Sequence, residues 1–292
     1  TVLLDGRLDG DGQLSGSATL PRLACADLLS SIPRPLVPHL AGLILDGDID
    51  ARLTLSLDIH DGSTLAVKLD GNNGCRARSD AALADVASLV HADAPTLVDH
   101  IVDGTRKFPL SARNPSWRAI AGLPPQLVRA FVVSEDGRFF SHHGFDVEGM
   151  GRAIGADLDA GRFERGASTI TQQLAKNLWL DGERTLSRKL EEAVLTWRLE
   201  QVLDKRRILE IYLNLVELGP GIFGVGDAAE QYFGKLPEEL SMDEGAQLAA
   251  LPPAPRRGMD AAWQRRYKAL KARLPSERPL ELPAPYLQLS KR

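Results

Sequence analysis

Apolar and polar residues alternate along the first third of the chain with the two-residue period of a β-strand. In residues 51–70, aliphatic side chains occupy every second position on either side of the Asp-Gly pair at 61–62, where the alternation breaks. Asp-Gly is a favoured turn sequence between antiparallel strands, so this segment predicts a β-hairpin with one buried face. Similar alternation over residues 14–20 predicts further antiparallel strands, and Leu23 to Ser31 predicts a short helix.

The apolar spacing becomes helical in the second half of the chain. From Leu186, apolar residues follow at intervals of four, four and three residues, at Leu190, Val194 and Trp197. Such a stripe is typical of a helix that faces a core. Asp204 is placed to cap the next helix, Asp227 is expected to precede another over AAEQYF, and Gly234 stands where a helix-ending glycine is expected.

The change of period predicts an α+β protein of two domains. Residues 1–108 are expected to form a β-rich accessory domain, and residues 109–292 a mostly α-helical domain with a basic C-terminal tail. Between Ala81 and Pro125 the strand pattern decays and prolines accumulate, which indicates a linker. The composition, 43% hydrophobic and 25% charged with a net charge of -4, is that of an ordinary globular protein.

Charge is distributed unevenly. Residues 1–110 hold fifteen Asp, no Glu and nine Lys plus Arg, a net charge of -6, whereas residues 256–292 carry a net charge of +7. A basic tail favours an anionic lipid surface, and a solvated helix face is the alternative. No apolar run approaches the ~20 residues that a membrane-spanning helix needs. Cys25 and Cys75 form either a disulfide or two buried free thiols, since spacing does not decide their separation.

Five blocks carry the most specific signal, and they stand in a fixed order. They read EDGRFFSHHGFD at 135–146, GASTITQQLAKN at 166–177, RKLEE at 188–192, KRRILEIYLN at 205–214 and GPGIFGVGDAAEQYFGK at 219–235. With these blocks the chain resembles the peptidoglycan glycosyltransferases, whose first two blocks follow EDxxFxxHxGxD and GxSTIxQQLxKN. The resemblance covers about residues 117–255 and implies a lysozyme-like fold for the helical domain.

The resemblance also implies a reaction. The family joins lipid-linked disaccharides: a sugar hydroxyl of lipid II attacks the anomeric carbon of the growing glycan and expels undecaprenyl pyrophosphate with inversion. A base for the hydroxyl is then needed, and Glu135 matches the family's base. Glu192 matches the second essential carboxylate, which faces the first across the cleft and organises the donor phosphates. No metal ion or other cofactor is expected to be required, and a role for Mg or Mn is left open.

The second block is expected to supply cations for the leaving group. By resemblance, Lys176 and Arg184 lie near the donor pyrophosphate, where positive charge compensates the charge that develops. Arg188 and Glu192 stand one helical turn apart and can pair. Thr169 and Gln172 have the spacing of a capping box at the start of a helix. The expected substrate-binding set is Lys176, Arg184, Arg188, Gln172, Ser168, Thr169 and Asn177.

Three further residues of the first block, Asp136, His142 and Gly144, are expected to support the site structurally. His142 is interpreted as a hydrogen-bonding residue that holds the Glu135 loop. A metal ligand or a second base is the alternative, but no HxxxH or HExxH spacing supports zinc.

The expected location is the outer, periplasmic face of the cytoplasmic membrane, with an N-terminal anchor absent from this chain. Expected partners are lipid II, the growing glycan strand, the membrane surface, and cell-wall synthesis proteins that dock on residues 1–108. Nucleic acid is not expected as a partner. Two alternatives remain: a lysozyme-like enzyme that cleaves glycan, which needs no cationic pyrophosphate site, and a catalytically idle scaffold.

Overall fold

A computed structural model describes residues 2–80, 86–90, 97–100, 106–109, 114–161, 166–180 and 185–274. The chain forms two compact units, Thr1–Ala84 with Phe145–Ser168, and Asp85–Gly144 with Thr169–Arg292. The α+β class is confirmed, because strands predominate in the first unit and helices in the second. The first unit includes a segment that lies between the first two sequence blocks. The domain division at residue 108 and the lysozyme-like fold remain predictions.

The elements are as follows in chain order. The strands of the described residues are β1 Leu3–Leu8, β2 Gln13–Ala24, β3 Ile44–Asp46, β4 Asp48–Asp58, β5 Asp61–Asn73, β6 Arg76–Ser79, β7 Leu97–His100, β8 Arg106–Pro109, β9 Glu217–Gly219 and β10 Ile222–Phe223. The α-helices are α1 Cys25–Ser30, α2 Pro125–Glu135, α3 Val147–Ala160, α4 Ile170–Trp179, α5 Leu186–Val202, α6 Lys205–Leu215, α7 Gly224–Phe233, α8 Met242–Ala249 and α9 Ala261–Arg273. None of the helices in these described ranges is long and apolar enough to cross a bilayer.

The first unit is built on an antiparallel sheet with the strand order β1-β2-β4-β5. The predicted hairpin is confirmed: β4 pairs with β5, and Leu53 lies opposite Leu69 while Leu55 lies opposite Val67. The predicted short helix is confirmed as α1. Cys25, at its start, and Cys75 form a disulfide with a Cα–Cα distance of 5.7 Å, so the bridged alternative is the one the structure shows.

Helix α3 packs closely on strand β5 in this unit. A Cβ atom at Gly151 would lie 3.2 Å from a methyl group of Val67, and one at Gly155 would collide with the carbonyl oxygen of Gly62. Two glycines one turn apart therefore let the helix backbone approach the strand. Asp159 strengthens the contact by accepting a hydrogen bond of 2.5 Å from the Gly62 N–H.

The second unit is a helical assembly around a buried apolar core. Helix α2 packs on α8, and α4 packs on both α5 and α6. Its core contains fully buried side chains from α2, α4, α5 and α6, among them Phe131, Ile170, Leu174, Leu199, Ile208 and Tyr212. This packing places the C-terminal end of α2 beside α4, which brings the first two sequence blocks together.

Local capping explains where these helices begin and end. The Asp204 side chain accepts the Arg207 N–H at 2.7 Å, so the predicted cap of α6 is confirmed. Gly234 ends α7 with a φ of 63°, as expected of a glycine at that position. The expected start of α7 at Asp227 is wrong. The helix begins at Gly224, whose φ of 75° permits a sharp entry, and Asp227 lies in the first turn, where its charge favours the helix dipole.

Candidate active site

Glu135 is the last residue of α2, and its side chain lies half-buried at the end of that helix. The Gln173 side chain of α4 donates a hydrogen bond from Nε2 to Glu135 Oε2 at 3.0 Å. The Ser134 hydroxyl lies 3.2 Å from Glu135 Oε1, but it also lies 2.7 Å from the carbonyl oxygen of Ala249. Because a hydroxyl has one proton, the shorter bond to Ala249 takes it. Gln173 is therefore the principal side-chain donor to Glu135.

The surroundings of Glu135 favour the protonated carboxyl more than water does. Burial raises the pKa of Glu135 above its ordinary value, and the hydrogen bond from Gln173 and the charges of Arg266 and Lys176 lower it again. When it is ionised, a carboxylate whose pKa is raised is a better proton acceptor than an ordinary surface glutamate.

Asp136 connects the first block to the start of α4. Its buried carboxylate lies 3.0 Å from His142 Nε2, and it accepts the Ile170 N–H at 3.1 Å. His142 makes the expected hydrogen bond, and its role in supporting the site stays a prediction. The His142 ring turns Nε2 to Asp136, while Nδ1 is buried with no hydrogen-bond partner among the described residues. Asp136 and His142 thus fix the chain that follows Glu135.

Thr169 makes a second connection between the two blocks. The predicted capping box is confirmed: Thr169 Oγ1 accepts the Gln172 N–H at 3.2 Å, and Gln172 Oε1 accepts the Thr169 N–H at 3.0 Å. The Thr169 hydroxyl also donates to the carbonyl oxygen of Gly144 at 2.6 Å. Gly144 has a φ of 87°, and a Cβ there would lie 2.9 Å from Thr196. Only glycine fits this position without strain.

Glu192 lies on α5 and is surrounded by cations. Its carboxylate accepts a hydrogen bond from Arg188 Nη1 at 3.1 Å, as the spacing predicted, and Lys189 Nζ contacts the other oxygen. Only 3% of Glu192 is exposed. Two cations therefore hold one carboxylate, and the pair of bonds fixes both of its oxygens.

Lys176 links the two carboxylates electrostatically. It lies on α4, one turn from Gln173, and its side chain keeps contact with solvent. Burial of its ammonium group lowers the pKa of Lys176 most. The charges of Glu192 and Glu135 raise this pKa, and the charges of Arg188 and Lys189 lower it. Lys176 is thus close enough to both Glu135 and Glu192 to sense their charge. Lys176, Arg188 and Lys189 together outnumber Glu192 by two charges, so this side of the site is cationic.

The other expected binding residues occupy different places. Gln172 is 3% exposed, with its amide engaged in the capping box, whereas its neighbour Gln173 reaches Glu135. Ser168 is exposed just before α4, and Asn177 is half-buried one turn from Gln173. Arg184 lies outside the described residues. The substrate-binding roles of these residues stay predictions.

Sequence reasoning missed Arg266 as a residue of this site. Its charge acts on Glu135, its Nε donates to the carbonyl oxygen of Ala250 at 3.1 Å, and its Nη2 is buried with no partner among the described residues. No local pattern on α9 marks Arg266, because only the packing of α9 on α2 and α8 brings it near Glu135. Lys189 could have been found, since it stands three residues before Glu192 on one helix face.

The described part of the chain contains no cluster of side chains that would bind a metal ion. No group of three or more His, Cys, Asp or Glu side chains in that part is arranged to hold one. The available functional groups are a half-buried carboxylate, an amide donor and a cluster of cations. They suit proton transfer beside a negatively charged group.

Comparison with known proteins gives consistent results. The sequence model of the transglycosylase family matches residues 103–274 of the chain. The biosynthetic peptidoglycan transglycosylase of Laribacter hongkongensis (strain HLHK9) is 51% identical over 140 residues, which are 48% of this chain and 61% of that protein. Penicillin-binding protein 1A of Escherichia coli (strain K12) is 51% identical over 133 residues, 46% of this chain and 16% of that protein. Penicillin-binding protein 1A of Aquifex aeolicus (strain VF5) is 48% identical over 161 residues, 53% of this chain and 22% of that protein. The chain thus spans less than two thirds of the length of these relatives.

Proposed function

Because this chain belongs to the transglycosylase family, we propose that it polymerises lipid II into β-1,4-linked glycan strands of peptidoglycan. One observation carries the proposal. A base candidate, Glu135, and a cationic cluster around Glu192 act on the same lysine, Lys176. A polymerase that expels pyrophosphate needs both a base and cations.

The proposed reaction is an inverting displacement at the anomeric carbon of the growing glycan. A hydroxyl of lipid II forms the new C–O bond and gives its proton to Glu135. The bond from the anomeric carbon to the pyrophosphate oxygen breaks, and the electron pair leaves with undecaprenyl pyrophosphate. Lys176, Arg188 and Lys189 are proposed to stabilise that negative charge, because cations that are already held in place need not reorganise during the reaction.

The cationic cluster also favours synthesis over cleavage. A glycan-cleaving enzyme with a lysozyme-like fold would also use a glutamate with a raised pKa, so Glu135 alone does not discriminate. Cleavage releases an uncharged sugar hydroxyl, which does not need two surplus positive charges. A divalent ion is not part of the proposed mechanism, because the cations of the protein supply the charge.

The proposal extends to location and partners. The substrate is a membrane lipid, so the enzyme works at the periplasmic face of the cytoplasmic membrane. The helical unit is proposed to have the lysozyme-like fold of the family. Residues 1–108 are proposed to be an accessory domain that docks cell-wall synthesis proteins.

The decisive experiment incubates the purified chain with lipid II in detergent and separates the products by length. We expect long glycan from the parent protein, with and without EDTA, and none from Glu135→Gln. Glu230→Gln, a substitution at an exposed position on α7, is the matched control and should polymerise at the parent rate. Shortening of added glycan would favour the hydrolase. Absence of any conversion, together with failure to bind the donor analogue moenomycin, would favour the idle scaffold.

A further inference from the structure

Gln173 is the contact through which the rest of the protein can orient Glu135. Its Nε2 donates to Glu135 Oε2 at 3.0 Å, whereas the Ser134 proton is taken by Ala249. A glutamine amide has a donor end and an acceptor end of similar size. If the amide rotated, its oxygen would face the carboxylate and the two acceptors would repel each other. Something must therefore hold the acceptor end of Gln173.

Tyr212 of α6 holds that end. Its hydroxyl donates to Gln173 Oε1 at 3.3 Å, and its ring is fully buried in the core. Burial raises the pKa of Tyr212 well above its ordinary value, and Glu135 and Asp136 raise it further, so the hydroxyl keeps its proton throughout the working pH range. The fixed ring and the permanent proton make Tyr212 a rigid donor on one side of the amide.

On these contacts we propose that Tyr212 is a positioning residue: through Gln173 it holds the carboxylate of Glu135 in one orientation while Glu135 accepts a proton. The proposal rests on the proposed function for its kinetic consequences. While Glu135 is ionised, its charge alone attracts the NH2 end of Gln173. Once Glu135 has accepted a proton, that attraction weakens, and the bond from Tyr212 then keeps the amide in place for the next cycle.

Other charged groups near Glu135 must stay constant in the test. They are Asp136 next in the chain, Lys176 from α4 and Arg266 from α9, and the charges of Glu135 and Asp136 also act on Tyr212 itself. Tyr212→Phe removes one hydroxyl and leaves all of these charges in place. A change in the titration of Glu135 that Gln173→Ala reproduces, and that the double variant does not enlarge, then comes through Gln173.

We expect Tyr212→Phe to lower kcat about fivefold, the effect of one lost hydrogen bond, with KM for lipid II unchanged. The acid limb of the pH profile should move to higher pH, because donation from Gln173 lowers the pKa of Glu135. Gln173→Ala should do the same, and the double variant Tyr212→Phe with Gln173→Ala should be no worse than Gln173→Ala alone. Additive losses in this double-mutant cycle would overturn the proposal, since Tyr212 would then act independently of Gln173.

Tyr232→Phe is the matched control, because the Tyr232 hydroxyl donates to the carbonyl oxygen of Leu218 at 2.9 Å, away from Glu135. It should leave kcat and the pH profile unchanged. A second measurement needs neither activity nor a variant. The side-chain NH2 signals of Gln173 in NMR spectra of the parent protein should exchange slowly and should shift as Glu135 titrates. If the chain did not polymerise lipid II, this readout would still test the contact, and unshifted signals would reject it.

Discussion

Glu135 lies at the C-terminal end of α2 and Glu192 lies on α5, and the two carboxylates have contrasting surroundings. Glu192 is buried and both of its oxygens contact cations, Arg188 and Lys189. Glu135 is half-buried, and its principal partner is the neutral amide of Gln173. A carboxylate whose two oxygens both contact cations serves as their fixed counter-charge. A carboxylate held by an amide can accept a proton with little rearrangement.

This contrast suits the two glutamates to different roles. In the proposed mechanism, the Glu135 side provides a base whose pKa is raised by burial, and the Glu192 side provides a fixed cluster with surplus positive charge. The charges of both carboxylates act on Lys176. We therefore expect substitution of Glu192 to lower the free energy of unfolding and substitution of Glu135 to raise it. The two substitutions should also impair catalysis differently, the first through the leaving group and the second through the base.

The largest loss of stability is expected for Glu192→Gln, together with a strong loss of polymerisation. The change leaves Arg188 and Lys189 without their counter-charge, so polymerisation should fall roughly 10²- to 10³-fold and the free energy of unfolding by about 1 to 3 kcal/mol. Lipid II turnover and thermal melting measure the two losses. Glu230→Gln should show neither, and an unchanged rate for Glu192→Gln would remove the cationic cluster from the mechanism.

Lys176→Gln should lower kcat/KM about 10²-fold and change stability by less than about 0.5 kcal/mol, because the side chain keeps contact with solvent. Lys176→Arg should retain activity and move the basic limb of the pH profile to higher pH. The lowered pKa of Lys176 means that its charge is lost as the pH rises, whereas an arginine keeps its charge. Lys268→Gln, at an exposed position of α9, is the control. A basic limb that stays in place for Lys176→Arg would assign that limb to another group.

Glu135→Gln should be more stable than the parent at pH 7, although it is inactive. The folded-state pKa of Glu135 lies above its unfolded value, so the folded protein binds the proton more tightly and the parent loses stability as the pH rises between the two values. Above both values the penalty for burying the charge is complete. We expect the melting temperature to rise by about 2 to 4 °C at pH 7 and the gain to shrink towards pH 4. A loss of stability at pH 7 would mean that the environment favours the ionised carboxylate.

The smallest effect is expected for Arg266→Gln. Arg266 lowers the pKa of Glu135, so its loss should move the acid limb to higher pH and reduce the rate roughly two- to fivefold on that limb. Arg266→Lys should restore the position of the limb, since it keeps the charge. The exposed neighbour Arg265→Gln should match the parent. If the acid limb of the pH profile did not move in Arg266→Gln, the role of Arg266 would be structural only, through its hydrogen bond to Ala250.

Local patterns were enough for several features of the fold. The hairpin at residues 51–70, the capping box of Thr169, the Asp204 cap and the Arg188–Glu192 pair depend on residues close in sequence, so spacing alone predicts them. The predicted start of α7 was wrong. Asp227 is a residue type that often caps a helix, but the helix begins three residues earlier, at Gly224, which has a positive φ. The sequence did not decide whether Cys25 and Cys75 form a disulfide, since the two residues are separated by 50 positions.

The sequence by itself determined the five blocks, the two glutamates, and Lys176 and Arg188 as cations of the site. Only the tertiary structure decided which amide faces Glu135. Gln172 and Gln173 are adjacent and chemically identical, yet the capping box turns one inward and the packing of α4 against α6 directs the other to Glu135 and Tyr212. The same holds for Arg266, which comes from α9, far along the chain. Spacing along a helix fixes which side chains share a face, but which partner that face meets depends on how distant helices pack.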